Sequence, residues 1–393
     1  MAATTGTAKT YDLTVGVKLD IEDLLYILTP TDCPLQGTYN GTTGLPPTAG
    51  NNAILSTRDC FAKKVEWDEE ELLTPVSAIK AANTFATADT FIVLAAGDKF
   101  RFATGDTAVV GPNAAGSLEQ VRITGYGSTT DTLTVTRAVG GSAADQYLAG
   151  ATFRGVGSML KEGSDPENFR FNALTNLFNY TEIFGPWLIQ VSRSEETVSR
   201  KGGMYGVPDQ YAKQIANKVR EITVAVEQAS VYGQRIEDTT NGWRAMGGLA
   251  YFITTNIDTS TTSLTLSTMN TQWQKSYANG GMVDTILVGP TQRRNISQFD
   301  AAAIRLDRSE TIRGQVVAEL DSDFGNALVV LDRWVNTNDL FGLDRQWIDF
   351  AVLDPMTFEP LAKTGDSMKG QVVGEKSMRV RMQKRHFRMS GLA

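Results

Sequence analysis

The sequence predicts an α+β protein with a small all-β domain inserted into it. Three observations support this prediction. One long amphipathic helix occupies 208–232, short β-rich runs between turn residues fill 84–156, and helices alternate with strands over 241–335. The 393 residues, of which 41% are hydrophobic, are enough for two or three cores of domain size.

Residues 1–50 have the character of an arm. Asp20 can cap a short amphipathic turn that Pro30 ends, and residues 37–52 are rich in Gly, Pro, Thr and Asn. Such a segment buries too little apolar surface to order itself alone. We therefore expect it to lie across a partner.

A dense acidic run follows the arm. Glu66, Asp68, Glu69, Glu70 and Glu71 place five negative charges within six positions. The run suits a solvated hairpin tip or the start of a helix, and it equally suits docking on a basic neighbour.

The texture changes at residue 84. Runs such as FIVLA, LEQVRI and DTLTVTR are separated by Gly, Asp, Pro and Asn at short, regular spacing, which is typical of a small antiparallel sandwich or barrel. We interpret 84–156 as an inserted β domain. The flanks, 51–83 and 157–185, are then two limbs of one interrupted element.

The clearest helix begins at Pro208, a favourable first-turn residue, and ends before Gly233. Its apolar residues recur at intervals of three and four and make one stripe. They are Tyr211, Ile215, Val219, Ile222, Val226 and Ala229. At 1.5 Å per residue, about 25 residues give a helix of about 37 Å.

After the helix the sequence predicts a compact α/β unit and a strand-rich tail. In the unit, WQKSYANGG and PTQRRNISQFD read as helices, TILVG as a buried strand, and DSDFGN as a hairpin turn. In the tail, Lys376 to Arg388 contains six Lys or Arg and no acid, and reads as a strand with one wet face. That face is either simply cationic, or it meets DNA or an acidic patch of another copy. The candidate contact residues on it are Arg379, Arg381, Lys384, Arg385 and Arg388.

Composition and motifs favour no enzyme class. Cys33 and Cys60 lack zinc-site spacing and read as buried small residues, and the lone His386 reads as a charged-strand position. No phosphate-binding glycine motif occurs, and Asp323-Phe324-Gly325 is a chance match to a kinase motif. A net charge of −7 argues against a surface that grips nucleic acid throughout. We expect no catalytic, cofactor-binding or metal-binding residue, no signal peptide and no membrane contact.

The order of several segments resembles a known family. These are EGSDPENFRFNALTNLFNYTEIF, the long helix ending at VYG, RAMGGLAYFITTN, TILVGP and LAKTGDSMKGQVVGEKSMRVR. In this order they resemble the major head proteins of tailed bacteriophages with the Hong Kong 97-like fold. The resemblance is narrower for the subgroup with a β-domain inserted in the extended loop, and it covers nearly the whole chain beyond residue 50.

The resemblance implies an architecture and a function. The implied parts are an N-terminal arm (1–50), an extended loop (51–83 and 157–185), an inserted β-domain (84–156), a peripheral domain (186–240 and 336–393) with its spine helix, and an axial domain (241–335). It implies a major capsid protein that self-assembles through pentamers and hexamers into the icosahedral head shell around double-stranded DNA. Portal, scaffolding and decoration proteins are the further partners. The protein would be assembled in the host cytoplasm and reside in the virion, with the acidic and basic candidates at inter-subunit contacts.

Two alternatives belong to other classes. Another virion protein, such as a decoration or tail-tube protein, would share the β-rich insert but would not need the long helix beside an α/β unit. A hydrolase with a β-rich binding module would need a pocket that gathers carboxylates, and no spacing in the sequence compels one.

Overall fold

The computed structural model describes residues 32–37, 53–72, 74–127, 131–163, 174–197, 210–299, 318–363 and 365–393. The predicted turn after Asp20, the segment 38–52, the stretch from Ser164 to Ala173 and the predicted helix start at Pro208 lie outside these residues.

Strands dominate the described residues. In chain order they are β1 (Ser56–Asp59), β2 (Lys64–Glu70), β3 (Val76–Ala78), β4 (Phe91–Val93), β5 (Asp106–Val110), β6 (Glu119–Tyr126), β7 (Thr132–Thr136), β8 (Thr152–Ser158), β9 (Leu174–Tyr180), β10 (Glu182–Ser192), β11 (Ile236–Asp238), β12 (Trp243–Ala245), β13 (Ile257–Asp258), β14 (Thr285–Val288), β15 (Ala318–Ser322), β16 (Gly325–Leu331), β17 (Leu340–Leu343), β18 (Ile348–Pro360), β19 (Ser367–Val380) and β20 (Phe387–Met389).

Helices are fewer, and most match the sequence predictions. They are α1 (Arg193–Thr197), α2 (Gln210–Tyr232), α3 (Leu249–Phe252), α4 (Leu266–Ala278) and α5 (Pro290–Ile296). Helix α2 confirms the predicted long helix and its end before Gly233. A Cβ at Gly233 would lie 2.6 Å from the Met246 carbonyl oxygen, so only glycine fits at this close approach. Helix α5 begins on the predicted first-turn proline.

The chain forms two compact units. One is Asp68–Asn176, and the other takes the residues up to Trp67 and Leu177–Ala393.

The unit Asp68–Asn176 contains one six-stranded sheet in the order β3-β8-β5-β6-β7-β4. Alternate residues of β6 point inward, which places Val121 and Ile123 in an apolar core around Phe102 and Phe153. The sequence predicts the β-rich domain at 84–156, and the sheet also includes β3, which lies before residue 84. Strand β3 belongs to the sheet because it pairs with β8. The assignment of the five capsid domains stays a prediction.

A buried ion pair links the start of β6 to the residue that follows β7. The Arg137 guanidinium lies 2.6 Å from a carboxylate oxygen of Glu119, which is fully buried, and it stacks on Phe85 at 4.0 Å from the ring centroid. The backbone N–H of Ala138 donates to the same carboxylate. The carboxylate is thus compensated where no water reaches it.

The larger unit is built around the long antiparallel pair β18–β19. This pair belongs to a sheet in the order β1-β18-β19-β10, and α2 packs its apolar stripe on β10 and β19. Ile222 and Val226 of the stripe are fully buried. A second sheet has the order β13-β20-β17-β14-β16-β15, with α4 and α5 packed on it.

The predicted strand through residues 376–388 is wrong in one respect. Strand β19 ends at Val380, Met382 adopts a left-handed conformation with φ of 49°, and a 3-10 turn over Gln383–Arg385 follows before β20 begins. The break occurs because β19 and β20 belong to different sheets, and the chain must turn between them.

The Glu119 pair gives a stability prediction. Arg137→Met would leave the Glu119 carboxylate buried without its cation, so we expect the free energy of unfolding of this unit to fall by about 3 kcal/mol. Pulse proteolysis in urea, with cleavage within 68–176 as the readout, measures it. The matched control is Arg101→Met, which removes the more exposed pair with Asp98 and should cost about 0 to 1 kcal/mol. Equal losses in both variants would contradict the assignment.

Candidate interaction surfaces

The acidic run lies on strand β2 as far as Glu70, and Glu71 follows the strand, so the expected hairpin tip or helix start is wrong. Val65 and Trp67 point inward, and Glu66 and Asp68 point to solvent. The alternation was present in the sequence, where Val65 and Trp67 interrupt the charges, but the density of acids obscured it. Trp67 fixes the strand because its ring packs against Phe252 at 5.7 Å between centroids.

The acids differ in their local partners. Glu66 pairs with Lys64 at 2.5 Å, and Asp68 accepts a hydrogen bond from the Asn176 side chain at 2.8 Å. Glu70 and Glu71 are exposed, and Glu69 is half-buried. Strand β2 therefore presents a solvent-facing row of carboxylates.

Strand β19 and the residues after it bring Arg379 and Arg381 to one aspartate. Asp349 lies opposite Arg379 in the β18–β19 register and is nearly buried. Its Oδ2 atom lies 2.5 Å from Arg379 and 3.1 Å from Arg381. One buried carboxylate thus partly neutralises two of the five predicted basic contacts.

The next two arginines follow the same pattern. Arg385 pairs with the buried Asp344 at 2.9 Å, and Arg388 pairs with the buried Asp339 at 3.4 Å. The Arg381 and Arg385 guanidinium groups also lie over the Trp347 ring, at 5.4 and 4.8 Å. The prediction of a simply cationic strand face is therefore wrong, because buried aspartates form ion pairs with these arginines. The role of all ten charged residues between subunits stays a prediction.

His386 is fully buried, so its assignment to a charged strand face is wrong. Its Nδ1 accepts a hydrogen bond from the Asp344 backbone N–H at 3.1 Å, and its Nε2 lies 3.2 Å from the Arg381 carbonyl oxygen. Burial lowers the pKa of His386 to about 4, so the ring is neutral at physiological pH. The ring therefore joins the Arg381 backbone before the turn to the Asp344 backbone after β17.

Sequence reasoning missed an exposed apolar hairpin after α2. Strands β11 and β12 pair with Ile236 opposite Ala245 and with Asp238 opposite Trp243. Trp243 is 69% exposed and Ile236 is 54% exposed. Phe61, in the loop between β1 and β2, is 94% exposed. The sequence IEDTTNGWRA carries the signal, with Asn241-Gly242 as the turn.

A second missed feature is a buried segment that sequence composition assigned to the arm. Residues 33–37 are buried beneath α2, where the Leu35 backbone N–H donates to Glu227 Oε1 at 2.8 Å. Cys33 and Cys60 are both buried, which confirms their assignment as buried small residues. The Gly-rich composition of the flanking residues hid this short apolar stretch.

Neither metal binding nor membrane crossing is indicated by the residues that the structure describes. Among them, no three His, Cys, Asp or Glu side chains are grouped to hold a metal ion. No helix within the described ranges is long and apolar enough to cross a membrane.

A family model decides the identity of the chain. The model described as SU10 major capsid protein matches residues 3–393. The chain belongs to this capsid protein family. The match confirms the recognition of a phage major capsid protein, and with the mixed architecture of few helices and many strands it confirms the Hong Kong 97-like fold class. The capsid protein is therefore a structural component of a virion that assembles with copies of itself into a shell.

Solved structures show more distant likeness. The capsid of Myoviridae phage XM1 is 9% identical with a TM-score of 0.47, and the match covers 99% of this chain and 100% of that one. The Mycobacterium phage Cain structure is 10% identical with a TM-score of 0.40, covering 88% and 89%. The holo-SrpI encapsulin complex from Synechococcus elongatus PCC 7942 is 10% identical with a TM-score of 0.37, covering 56% and 76%. No curated protein matches the chain.

The shared aspartate gives a second prediction. Asp349→Asn leaves Arg379 and Arg381 facing a neutral amide, so we expect the free energy of unfolding of the capsid protein to fall by about 2 kcal/mol. Urea denaturation followed by tryptophan fluorescence measures it. The control is Glu359→Gln on the same strand, whose exposed carboxylate meets Gln371 at 2.9 Å; this change should cost less than about 0.5 kcal/mol. A loss at Asp349 no larger than at Glu359 would refute the prediction.

Proposed function

We propose that the capsid protein forms the closed icosahedral head of a tailed bacteriophage, built from its pentamers and hexamers around double-stranded DNA. The family match over residues 3–393 is the observation that carries this proposal. The exposed Phe61 and Trp243 support it, because a subunit that stays single gains nothing from leaving such side chains in water. The shell is assembled in the host cytoplasm from subunits with no catalytic task.

The five predicted domains give each part of the chain a place in the shell. Residues 1–50 serve as the arm, 51–83 with 157–185 as the extended loop, 186–240 with 336–393 as the peripheral domain around α2, and 241–335 as the axial domain. The separate core of Asp68–Asn176 supports an inserted β-domain, 84–156 in the sequence prediction. Thin, extended parts suit a protein that must contact several neighbours.

Opposite charges on neighbouring copies would orient these contacts. We expect the acidic residues of β2 and the basic residues after Met378 to attract each other between neighbouring copies. Exposed ion pairs contribute only about 0 to 1 kcal/mol each, so their effect comes from repetition over many subunits. The arginines held by buried aspartates offer their remaining N–H donors to such a neighbour or to packaged DNA. Portal, scaffolding and decoration proteins are the other expected partners.

Assembly itself is the first test. Purified capsid protein, alone or with phage partners, should form closed shells or capsomer rings in negative-stain microscopy and light scattering. A decoration or tail-tube protein would give no closed shells. A stable monomer under every assembly condition would contradict the proposal.

The acidic strand gives a third prediction. Replacing Glu69, Glu70 and Glu71 with Lys should reduce shell yield at least about tenfold while circular dichroism and thermal melting stay unchanged, because the row then repels a basic neighbour. Reversal of Asp321 and Asp323, which are also exposed, is the control for added positive charge. Normal shells from the triple variant would show that the row is only a solvated face.

The exposed hairpin gives a fourth. Trp243→Ser should lower shell yield or raise the protein concentration needed for assembly about tenfold, because burial of an aromatic side chain contributes about 1.5 to 3 kcal/mol. Trp243→Phe keeps an apolar ring and should restore most of the assembly. If Trp243→Ser assembles like the parent, the hairpin lies outside the contacts.

A further inference from the structure

The anchor segment, residues 32–37, is held inside the larger unit by side chains from α2 and β19. Leu35 and Gln36 donate their backbone N–H groups to the Glu227 carboxylate, at 2.8 Å from Leu35 to Oε1. The Gln36 side chain donates to the Thr223 carbonyl oxygen and accepts from Lys376 Nζ at 2.9 Å. The segment therefore binds to the helix through a glutamate and to the sheet through a lysine.

Further contacts fix the two ends of the anchor segment. Asp32 pairs with Arg333 at 2.7 Å, and its carbonyl oxygen accepts from the Trp334 indole at 2.8 Å. Pro34 and Leu35 accept backbone hydrogen bonds from Ile54 and Leu55 at 3.0 Å. The segment is therefore the point at which the chain after residue 31 first enters the core.

The carboxylates around the anchor segment are incompletely satisfied. Glu227 and Asp332 are both fully buried, and neither Glu227 Oε2 nor Asp332 Oδ2 has a hydrogen-bond partner among the described residues. A buried carboxylate oxygen without a donor carries a large desolvation cost when it is charged. A proton on Glu227 removes that charge and turns Oε2 into a donor.

The charged and titratable groups that face Glu227 come from three directions. Asp32 and Cys33 lie on the anchor segment, Asp332 follows β16 beside Arg333, and Lys376 lies on β19. The Lys376 cation favours the ionised form of Glu227, and the Asp332 carboxylate disfavours it. Cys33 stays a thiol, because burial raises its pKa far above neutrality.

We propose that protonation of Glu227 controls how stably the anchor segment is held in the core. The buried position of the segment is more stable when Glu227 is protonated and less stable when Glu227 is ionised. The proposal goes beyond the proposed function, because it concerns how the chain is held to its own spine helix and not how copies meet. A shell subunit whose anchor segment becomes more stable at lower pH can regulate its arm through pH alone, without a ligand.

The direction of the effect follows from three groups. Burial raises the pKa of Glu227 from 4.5 to about 8 and that of Asp332 from 3.8 to about 6. Both groups therefore stabilise the buried anchor segment fully at a pH below their pKa in the unfolded chain. This stabilisation is lost as pH rises through their pKa in the folded protein. Burial lowers the pKa of Lys376 from 10.5 to about 8, so its contribution is present above 10.5 and lost as pH falls to 8. Between pH 5 and pH 8 the two acids dominate, and the anchor loosens as pH rises.

Hydrogen exchange of the full-length protein measures the stability of the anchor segment directly. The Leu35 and Gln36 amides donate to Glu227, so their protection, corrected for the intrinsic effect of pH on exchange, reports the anchor. We expect protection to fall on the order of a thousandfold from pH 5 to pH 8, as the separation of folded and unfolded pKa values of the two acids implies. Strand β7, in the other unit, serves as the internal reference and should not follow.

Two variants distinguish the effect of Glu227 ionisation on the anchor segment from a change in the overall stability of the protein. Glu227→Gln keeps an acceptor for Leu35 but cannot ionise, so its protection should change only about tenfold over the same range, the part that Asp332 contributes. Glu221→Gln, on the same helix and exposed, should behave like the parent. Equal protection of the parent at both pH values, or an unchanged pH dependence in Glu227→Gln, would overturn the proposal.

A third variant keeps the test decisive if Glu227→Gln does not fold. Asp332→Asn removes the acid that opposes ionisation of Glu227, so the loss of protection should move to lower pH because Glu227 then ionises more readily. A midpoint that stays in place, or moves upward, would show that Glu227 does not control the anchor.

Discussion

The antiparallel pair β18–β19 is the structural element on which the larger unit depends. Its register runs from Ile348–Val380 to Pro360–Gly370, with irregularities between Val352 and Thr357, so a long ladder of backbone hydrogen bonds joins the two strands. Helix α2 buries its apolar stripe against β19 and the adjoining β10, and the chain leaves β19 to enter the second sheet as β20. A change in the alignment of this pair would displace the helix, the anchor segment beneath it and the strand that follows.

Charge inside the unit is handled in two different ways. Around the turn after β19, buried aspartates meet arginines, which keep their charge under all ordinary conditions, and the pairs hold the turn in place. Under α2, a buried glutamate meets backbone amides, a lysine and a second acid, and its charge is poorly compensated. The first arrangement is permanent and the second depends on proton concentration, although both use carboxylates of similar burial.

Local sequence patterns predicted the parts of the fold that depend on local periodicity. The apolar stripe of α2, the proline that opens α5 and the buried strand β14 follow from spacing and turn chemistry within a few residues. The order of several such segments was specific enough to identify the capsid family. Each of these signals survives in a single chain because neighbouring residues create it.

The errors have a common cause in contacts distant along the chain. The run of basic residues after Met378 looked like one wet strand, because nothing near it shows that Asp339, Asp344 and Asp349 would accept the arginines. His386 looked exposed for the same reason. Nothing near Glu227 in the sequence indicates its role either, because its partner Leu35 in the anchor segment lies 192 residues away.

The pairing of β2 with β9 has a consequence for how such a protein can diversify. These two strands carry the chain into Asp68–Asn176 and out of it, and they are hydrogen-bonded neighbours, so the points of entry and exit are separated by about one strand spacing, roughly 4.8 Å. A domain with adjacent termini and its own core meets the geometric condition for replacement as a whole. Evolution can exchange such a domain for another, and a protein engineer can use the same two strands as the attachment point for a different domain.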